Sequence, residues 1–150
     1  MYWKNFEINY QQLSADYLNS IPVSESLIEF LTEIKNLSIY KDQDENFRNV
    51  LEMGCGLGSF TAYLGKNYQN VTGCDVSVTA INSAKLKHKE QVNIKFQSLN
   101  ASEVGSAFKK DAFDLVVDSH LLHHLLDANE REAYFKGLKR IVRPNGLILI

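Results

Sequence analysis

Apolar positions along the chain switch between two spacings, and this switching predicts helices and strands in alternation. Between Val23 and Leu37, apolar side chains recur every three or four residues, which is the spacing of one helix face. Short apolar runs predict strands in the rest of the chain, and they are residues 49–53, 70–75, 92–99, 113–118 and 147–150. Helical stretches lie between these runs, and the clearest extends from Ser77 to about Lys89.

Capping chemistry predicts where the last helix begins and ends. Asp127 and Glu130 have the spacing of a capping box, which opens a helix. Pro144-Asn145-Gly146 then predicts its end and a turn into the terminal strand. The side chains expected to face inward from this helix are Phe135, Leu138, Ile141 and Val142.

This order of elements predicts an α/β fold with three layers and a mainly parallel sheet. The strands are almost continuously apolar, as expected when helices cover both faces of the sheet. Residues 1–47 are expected to form a helical cap or lid, and residues 48–150 a ligand-binding domain. Ligands of such sheets bind beyond the carboxyl ends of the strands, so we expect the site just after residues 53, 75, 99 and 118.

Composition narrows the class of protein without naming a function. The chain has 150 residues, 45% of them hydrophobic and 23% charged, which predicts one globular domain. A net charge of -2 gives no general basis for binding nucleic acid, so none is expected as a partner. No apolar run approaches the ~20 residues of a membrane span, and the first residues lack the pattern of a signal peptide. With only two cysteines, the chain is expected to be cytoplasmic.

A glycine-rich segment joins the first strand to the next helix. Gly54, Gly56 and Gly58 alternate with other residues, and glycine is needed where φ is positive or a ligand approaches the backbone. The following helix would present N–H groups and a positive dipole end to that ligand, although a tight turn accounts for the same glycines. Asp75 ends the next strand, where a carboxylate can accept hydrogen bonds from both hydroxyls of a ribose. Together these features indicate a ligand that contains a nucleoside.

Two residues favour one nucleoside ligand over another. A dinucleotide fingerprint requires glycine or alanine where this chain has Ser59. Glu52 directly precedes the loop, and its carboxylate would repel a pyrophosphate but attract an ammonium or sulfonium group. S-adenosylmethionine carries both cations, so the residues favour it over NAD.

The chain resembles the class I S-adenosylmethionine-dependent methyltransferases of the small-molecule type. Four motifs carry the resemblance in the family's order, and they are residues 50–58, 73–77, 113–125 and 138–146. The resemblance covers residues 48–150 well and the first 47 loosely, with 6–17 similar to the family's N-terminal segment. It implies a Rossmann-like αβα sandwich that is short at its C-terminus, because the family has seven strands and this chain reaches the fifth.

The resemblance also implies a role for each matching residue. Glu52 and the backbone of Gly54 and Gly56 would hold the methionine end of the cofactor. Asp75 would bind the ribose, and Val76 would lie against the adenine. The remaining cofactor-site residues implied are Cys55 and Gly58 in the loop, Asn100 near the adenine amino group, Ser119 beside the methyl group, and Tyr17 of the N-terminal segment. S-adenosylhomocysteine would be the product.

Methyl transfer needs a base only when the acceptor loses a proton as it attacks. The candidates are Asp118, His120 and His123, and His120 is favoured as the catalytic residue because it follows the fourth strand directly. His120, His123 and His124 could share a helix face, but no acidic or cysteine ligand recurs beside them at diagnostic spacing, so no metal is expected. His88 is expected on a solvated helix face.

The leading hypothesis is a methyltransferase that acts on a small molecule or a lipid. The chain lacks the Asn/Asp-Pro-Pro-aromatic motif of many enzymes that methylate base or amide nitrogens. A catalytically silent cofactor-binding module and an NAD-dependent oxidoreductase are the alternatives. The apolar end, residues 147–150, would be an unprotected sheet edge, which predicts either a shortened chain or a homo-oligomer that shields it.

Overall fold

Five parallel strands form one sheet in the computed structural model, which describes residues 25–36 and 47–150. The strands are β1 (Asn49–Met53), β2 (Asn70–Asp75), β3 (Ile94–Ser98), β4 (Phe113–Asp118) and β5 (Val142–Leu149). Their order across the sheet is β3-β2-β1-β4-β5, and every neighbouring pair is parallel. This arrangement confirms the predicted α/β fold, and it places the switch in strand order between β1 and β4.

Helices connect the strands, and the last of them begins at the predicted cap, Asp127. They are α1 (Glu25–Lys35), α2 (Ser59–Leu64), α3 (Val78–Lys87), α4 (Val104–Ala107) and α5 (Ala128–Ile141), with short 3-10 turns at Ala101–Glu103 and Leu122–His124. The Ser77 hydroxyl accepts the N–H of Ala80 and caps α3. The Asp127 carboxylate accepts two backbone N–H groups at the start of α5. Both caps stabilise a helix end whose first N–H groups lack partners within the helix.

The sheet is buried on both faces, because successive side chains of a strand point to opposite sides. Val50 packs in a cluster that contains Leu31 of α1 and residues of α2 and α3. The neighbouring Leu51 packs in a second cluster with Leu138 and other residues of α5. Two helical layers therefore enclose the sheet, as the near-continuous apolar strands predicted.

The end of α5 differs from the prediction in two respects. Phe135 is 44% exposed, whereas Tyr134 is fully buried, because Tyr134, Leu138 and Ile141 are four and three residues apart and so share one face. The prediction of a turn at residues 144–146 is wrong, because the helix already ends at Ile141 and these residues lie within β5, where proline cannot continue a helix but can adopt extended geometry. Strand β5 starts at once at Val142, and its pairing with β4 shifts register between Phe113 and Leu115.

The two outer strands set the limits of the sheet among the described residues. Strand β3 is shorter than predicted, because Val92 is 95% exposed and precedes the strand. At the other edge, β5 leaves Ile148 and Ile150 partly exposed. Within residues 25–36 and 47–150, no helix combines the length and apolar character required to cross a membrane.

Candidate functional site

The carboxyl ends of β1, β2 and β4 meet at one edge of the sheet. The N–H of Ser119, just after β4, donates to the carbonyl of Met53 at 2.8 Å. The N–H of Gly54 donates to the carbonyl of Cys74 at 2.8 Å. The structure thus brings together the glycine loop (residues 54–58), the end of β2 and the segment after β4, as the sequence predicted.

The three glycines of the loop are required by its geometry. Gly54, Gly56 and Gly58 have φ angles of 79°, 49° and 76°, in the left-handed region that other residues avoid. A Cβ on Gly54 would lie 3.0 Å from the carbonyl oxygen of Ser119. A Cβ on Gly58 would lie 2.5 Å from the ring of Phe96. The loop is therefore a close-packed cradle that leaves no room for side chains at these two positions.

Several backbone N–H groups of the loop make hydrogen bonds within the protein. Gly54 and Cys55 both donate to the Cys74 carbonyl, Gly56 donates to Asp75 Oδ2 at 2.9 Å, and Gly58 donates to the Cys55 carbonyl. These four N–H groups therefore already have acceptors within the protein. Strand β2 supplies a carbonyl and a carboxylate for Gly54, Cys55 and Gly56, and the loop itself supplies the Cys55 carbonyl for Gly58.

Asp75 occupies the predicted position at the end of β2. Its Oδ1 accepts the N–H of Ser77 at 2.8 Å, while Oδ2 accepts that of Gly56. A carboxylate oxygen can accept more than one hydrogen bond, so both oxygens can also serve a ligand hydroxyl. The half-buried Val76 follows, and its carbonyl accepts the hydroxyl of Ser98 at the end of β3.

Glu52 lies beneath the loop and is only 1% exposed. The hydroxyl of Thr61, on α2, donates to its Oε2. Burial raises the pKa of Glu52 to about 7, although hydrogen bonds from Thr61 and the proximity of the Ser119 hydroxyl act to lower it. That hydroxyl is buried and makes no hydrogen bond of standard geometry within the described residues. The site therefore contains an acidic group that is sensitive to nearby charge.

Cys55 and Cys74 contribute through their backbone. Both thiols are buried, and burial raises the pKa of Cys55 and brings that of Cys74 to about 12. A thiol of this kind stays protonated near neutral pH and is a poor nucleophile. Cys55 therefore stabilises the loop through its backbone, whose N–H donates to the Cys74 carbonyl and whose carbonyl accepts the N–H of Gly58.

Asn100 follows β3 and caps the 3-10 turn that begins at Ala101. The Oδ1 of Asn100 accepts two hydrogen bonds from Ser102, one from its N–H at 3.0 Å and one from its hydroxyl at 2.9 Å. Because both lone pairs of Oδ1 are used, a contact with an adenine ring would fall to the amide N–H donors. Tyr17, which the resemblance also assigns to the cofactor site, lies outside the described residues.

The segment after β4 carries the predicted base. His120 is exposed and has a φ of 62°, and its ring centre lies 6.2 Å from that of His123. Asp118 is buried, and its Oδ1 accepts the N–H groups of Leu121 and Leu122. Its Oδ2 accepts the hydroxyl of Tyr134 at 2.9 Å. Asp118 therefore holds the turn that presents His120, which makes it unsuited to act as the base itself.

A cavity of about 470 Å³ opens beside His120. Three of its lining residues belong to α1, and the others lie at the end of β4, after β4 or at residue 150. They are Ser26, Leu27, Phe30, Asp118, His120, Leu122, His123 and Ile150. The cavity is thus largely apolar, with imidazoles at one side.

The remaining histidines do not form a metal site in the described part of the chain. No cluster of three or more histidine, cysteine or acidic side chains suited to a metal occurs there. His88 is not on a solvated face as predicted, because it ends α3 and packs 5.9 Å from the ring of Phe96. Burial lowers the pKa of His88, and the positive charge of Lys87 lowers it further.

Comparison with known proteins identifies the family. A model of the methyltransferase domain matches residues 51–150. Nodulation protein S of Rhizobium tropici is 32% identical over 98 residues, which is 65% of this chain and 40% of that protein. A ubiquinone biosynthesis O-methyltransferase of Colwellia psychrerythraea is 32% identical over 100 residues, covering 66% of this chain and 39% of the relative.

Solved structures show the same fold. A TehB-like SAM-dependent methyltransferase of Corynebacterium glutamicum matches with a TM-score of 0.61 and 19% identity, over 97% of this chain and 71% of that one. The chain spans about 40% of the length of the curated relatives it matches. On its strand order, its glycine loop and the match over residues 51–150, this chain belongs to the S-adenosylmethionine-dependent methyltransferase family.

Proposed function

We propose that the protein transfers a methyl group from S-adenosylmethionine to a small, largely apolar acceptor. The observation that carries this proposal is the cavity lined by Asp118 and His120, at the sheet edge that holds the glycine loop and Asp75. A cofactor site next to a separate cavity is what a two-substrate reaction requires.

The chemistry of the site suits this cofactor. Asp75 supplies acceptors for ribose hydroxyls beside the close-packed glycine loop. Glu52 is a buried carboxyl with another carboxylate, Asp75, acting on it, so a positive group nearby would stabilise its ionised form. When bound, the cofactor supplies a methyl group on a positively charged sulfur.

We assign the proton transfer to His120. Its ring would accept the proton of an acceptor O–H or N–H as the acceptor atom bonds to the methyl carbon and the carbon–sulfur bond breaks, which leaves S-adenosylhomocysteine. Asp118 accepts the N–H of Leu121 and so stabilises the turn that contains His120. The φ of His120 is positive, in the left-handed region. The protein's other contribution is alignment and exclusion of water.

The lining of the cavity indicates the class of acceptor. Leu27, Phe30, Leu122 and Ile150 are apolar, and no lysine or arginine is among the described residues that line it. A phosphorylated acceptor would lack a cationic partner there. We therefore propose a neutral molecule with an apolar body and one nucleophilic O–H or N–H, and we propose that α1, with the rest of residues 1–47, caps it.

The variant His120→Asn should reduce the rate of methyl transfer by about 10²- to 10⁴-fold while leaving cofactor affinity unchanged. Asparagine tolerates positive φ but cannot take up a proton, so the turn is preserved. Transfer of labelled methyl from S-adenosylmethionine to a panel of phenols, catechols and indoles measures the rate. His123→Asn is the matched control and should have a much smaller effect.

Two results of this assay would count against the proposal. Equal rates for His120→Asn and the unchanged protein would remove His120 from the chemistry. Tight cofactor binding without transfer to any member of the panel would favour a silent cofactor-binding module.

A further inference from the structure

We infer that Thr61 is a positioning residue for cofactor binding, because its hydroxyl holds the buried Glu52 carboxyl and so couples capture of the cationic cofactor to release of a proton. This inference rests on the proposed function, and it concerns a residue to which neither the sequence motifs nor the proposed reaction assigns a role.

The contact between Thr61 and Glu52 is fully enclosed. Thr61 has no exposed surface, and Glu52 is 1% exposed. The hydroxyl of Thr61 donates to Glu52 Oε2, and its backbone N–H also bonds to that carboxyl. One residue of α2 therefore supplies two of the donors that stabilise the ionised form of Glu52.

The adjacent strand leaves space for this contact. Gly73 of β2 is the register partner of Glu52 of β1. A Cβ on Gly73 would lie 2.5 Å from Thr61 Oγ1, well inside the closest normal contact. The absence of a side chain at position 73 thus permits the threonine hydroxyl to reach the carboxyl.

Within residues 25–36 and 47–150, the groups that act on Glu52 supply no positive charge. Asp75 at the end of β2 disfavours its ionisation, and the protonated thiols of Cys55 and Cys74 are neutral. Among the described residues, the remaining polar group that acts on Glu52 is the Ser119 hydroxyl. Because burial dominates, the pKa of Glu52 is about 7, so a large share of the molecules carries a proton on Glu52 at neutral pH.

This arrangement fixes the direction of the pH effect. A cationic ligand favours the ionised carboxyl, so affinity should rise as the pH increases through about 7 and binding should release protons. Without the Thr61 hydroxyl, the pKa of Glu52 should rise further. A rise of about one unit would lower the ionised fraction at pH 7, and hence the affinity, by about fivefold.

Calorimetric titration of the whole chain with S-adenosylmethionine from pH 5.5 to 8.5 tests the inference. Titrations in two buffers of different ionisation enthalpy count the protons released. Thr61→Val, which has nearly the same shape, should move the midpoint of the affinity profile to higher pH. Thr61→Ser keeps the hydroxyl and should restore the original midpoint.

The outcomes separate this inference from the proposed function. Glu52→Gln cannot titrate, so its profile reports the ligand's own ionisation and serves as the baseline. If the unchanged protein binds with the same pH profile as Glu52→Gln and releases no additional protons, the inference is wrong even if Thr61→Val fails to fold. If Thr61→Val folds and keeps the original midpoint, Thr61 has no positioning role. If no binding occurs at any pH, the proposed function fails as well.

Discussion

Replacing Asp75 with alanine should weaken the binding of S-adenosylmethionine by roughly 5- to 150-fold, which corresponds to about 1–3 kcal/mol. The carboxylate accepts the N–H groups of Gly56 and Ser77, and we propose that it also accepts the ribose hydroxyls. Its removal would leave ligand hydroxyls without acceptors and would release one side of the loop. Isothermal titration calorimetry measures the change directly.

A matched control separates binding from general damage. Glu90→Ala removes an exposed carboxylate that is paired with the exposed Lys89, and it should leave the affinity unchanged. An analogue of the cofactor without ribose hydroxyls should bind the unchanged protein weakly and should be affected much less by Asp75→Ala. Equal losses for both ligands would mean that Asp75 only supports the loop, and an unchanged affinity would show that the site is elsewhere.

The variant Asp114→Asn should lower the free energy of unfolding by about 2–4 kcal/mol. Asp114 of β4 is buried, and its Oδ2 accepts the N–H groups of Arg48 and Asn49 at the start of β1. Its Oδ1 accepts the guanidinium of Arg143 on β5. One carboxylate thus ties three strands together, and a neutral amide would leave a cation without its partner.

The same residue predicts a dependence of stability on pH. Burial alone would raise the pKa of Asp114, but the bonds from Asn49, Arg48 and Arg143 outweigh it and hold the pKa below the ordinary value of 3.8. A carboxyl with a lowered pKa stabilises the fold above its unfolded pKa, and this contribution is lost as the pH falls through the folded value. Urea unfolding at pH 7 and pH 3 should therefore show a larger difference for the unchanged protein than for Asp114→Asn. Glu90→Gln should behave like the unchanged protein. If Asp114→Asn kept the full stability of the unchanged protein at pH 7, the stabilising role of Asp114 would be contradicted.

The sheet and the position of the site follow from the sequence because buried parallel strands are recognisable from local composition. The limits of β1, β2 and β4 are those predicted, since each is a short apolar run that ends at a glycine or an acidic residue. Asp75 and the glycine loop were found for the same reason, because each directly follows such a run. Strand β3 was predicted too long, because the exposed Val92 extends the apolar pattern without joining the sheet.

Features that depend on packing between distant segments could not be predicted. The choice between Tyr134 and Phe135 depends on the rotation of α5, and two adjacent aromatics leave that rotation open. The acceptors of the N–H groups of Gly54, Cys55 and Gly56 come from β2, whose position beside the loop sequence spacing does not give. The sequence around Thr61 does not distinguish it from other threonines in helices. Its contact with Glu52 depends on the space that Gly73 leaves on the neighbouring strand, and that space is known only from the structure.

The central claim is that the sheet edge at residues 54–58, 75 and 119 binds S-adenosylmethionine. Calorimetric titration of the chain with S-adenosylmethionine, S-adenosylhomocysteine and NAD tests it most directly. We expect one-to-one binding of the first two ligands and none of NAD. Binding of NAD in the absence of binding to either adenosyl ligand would contradict the account.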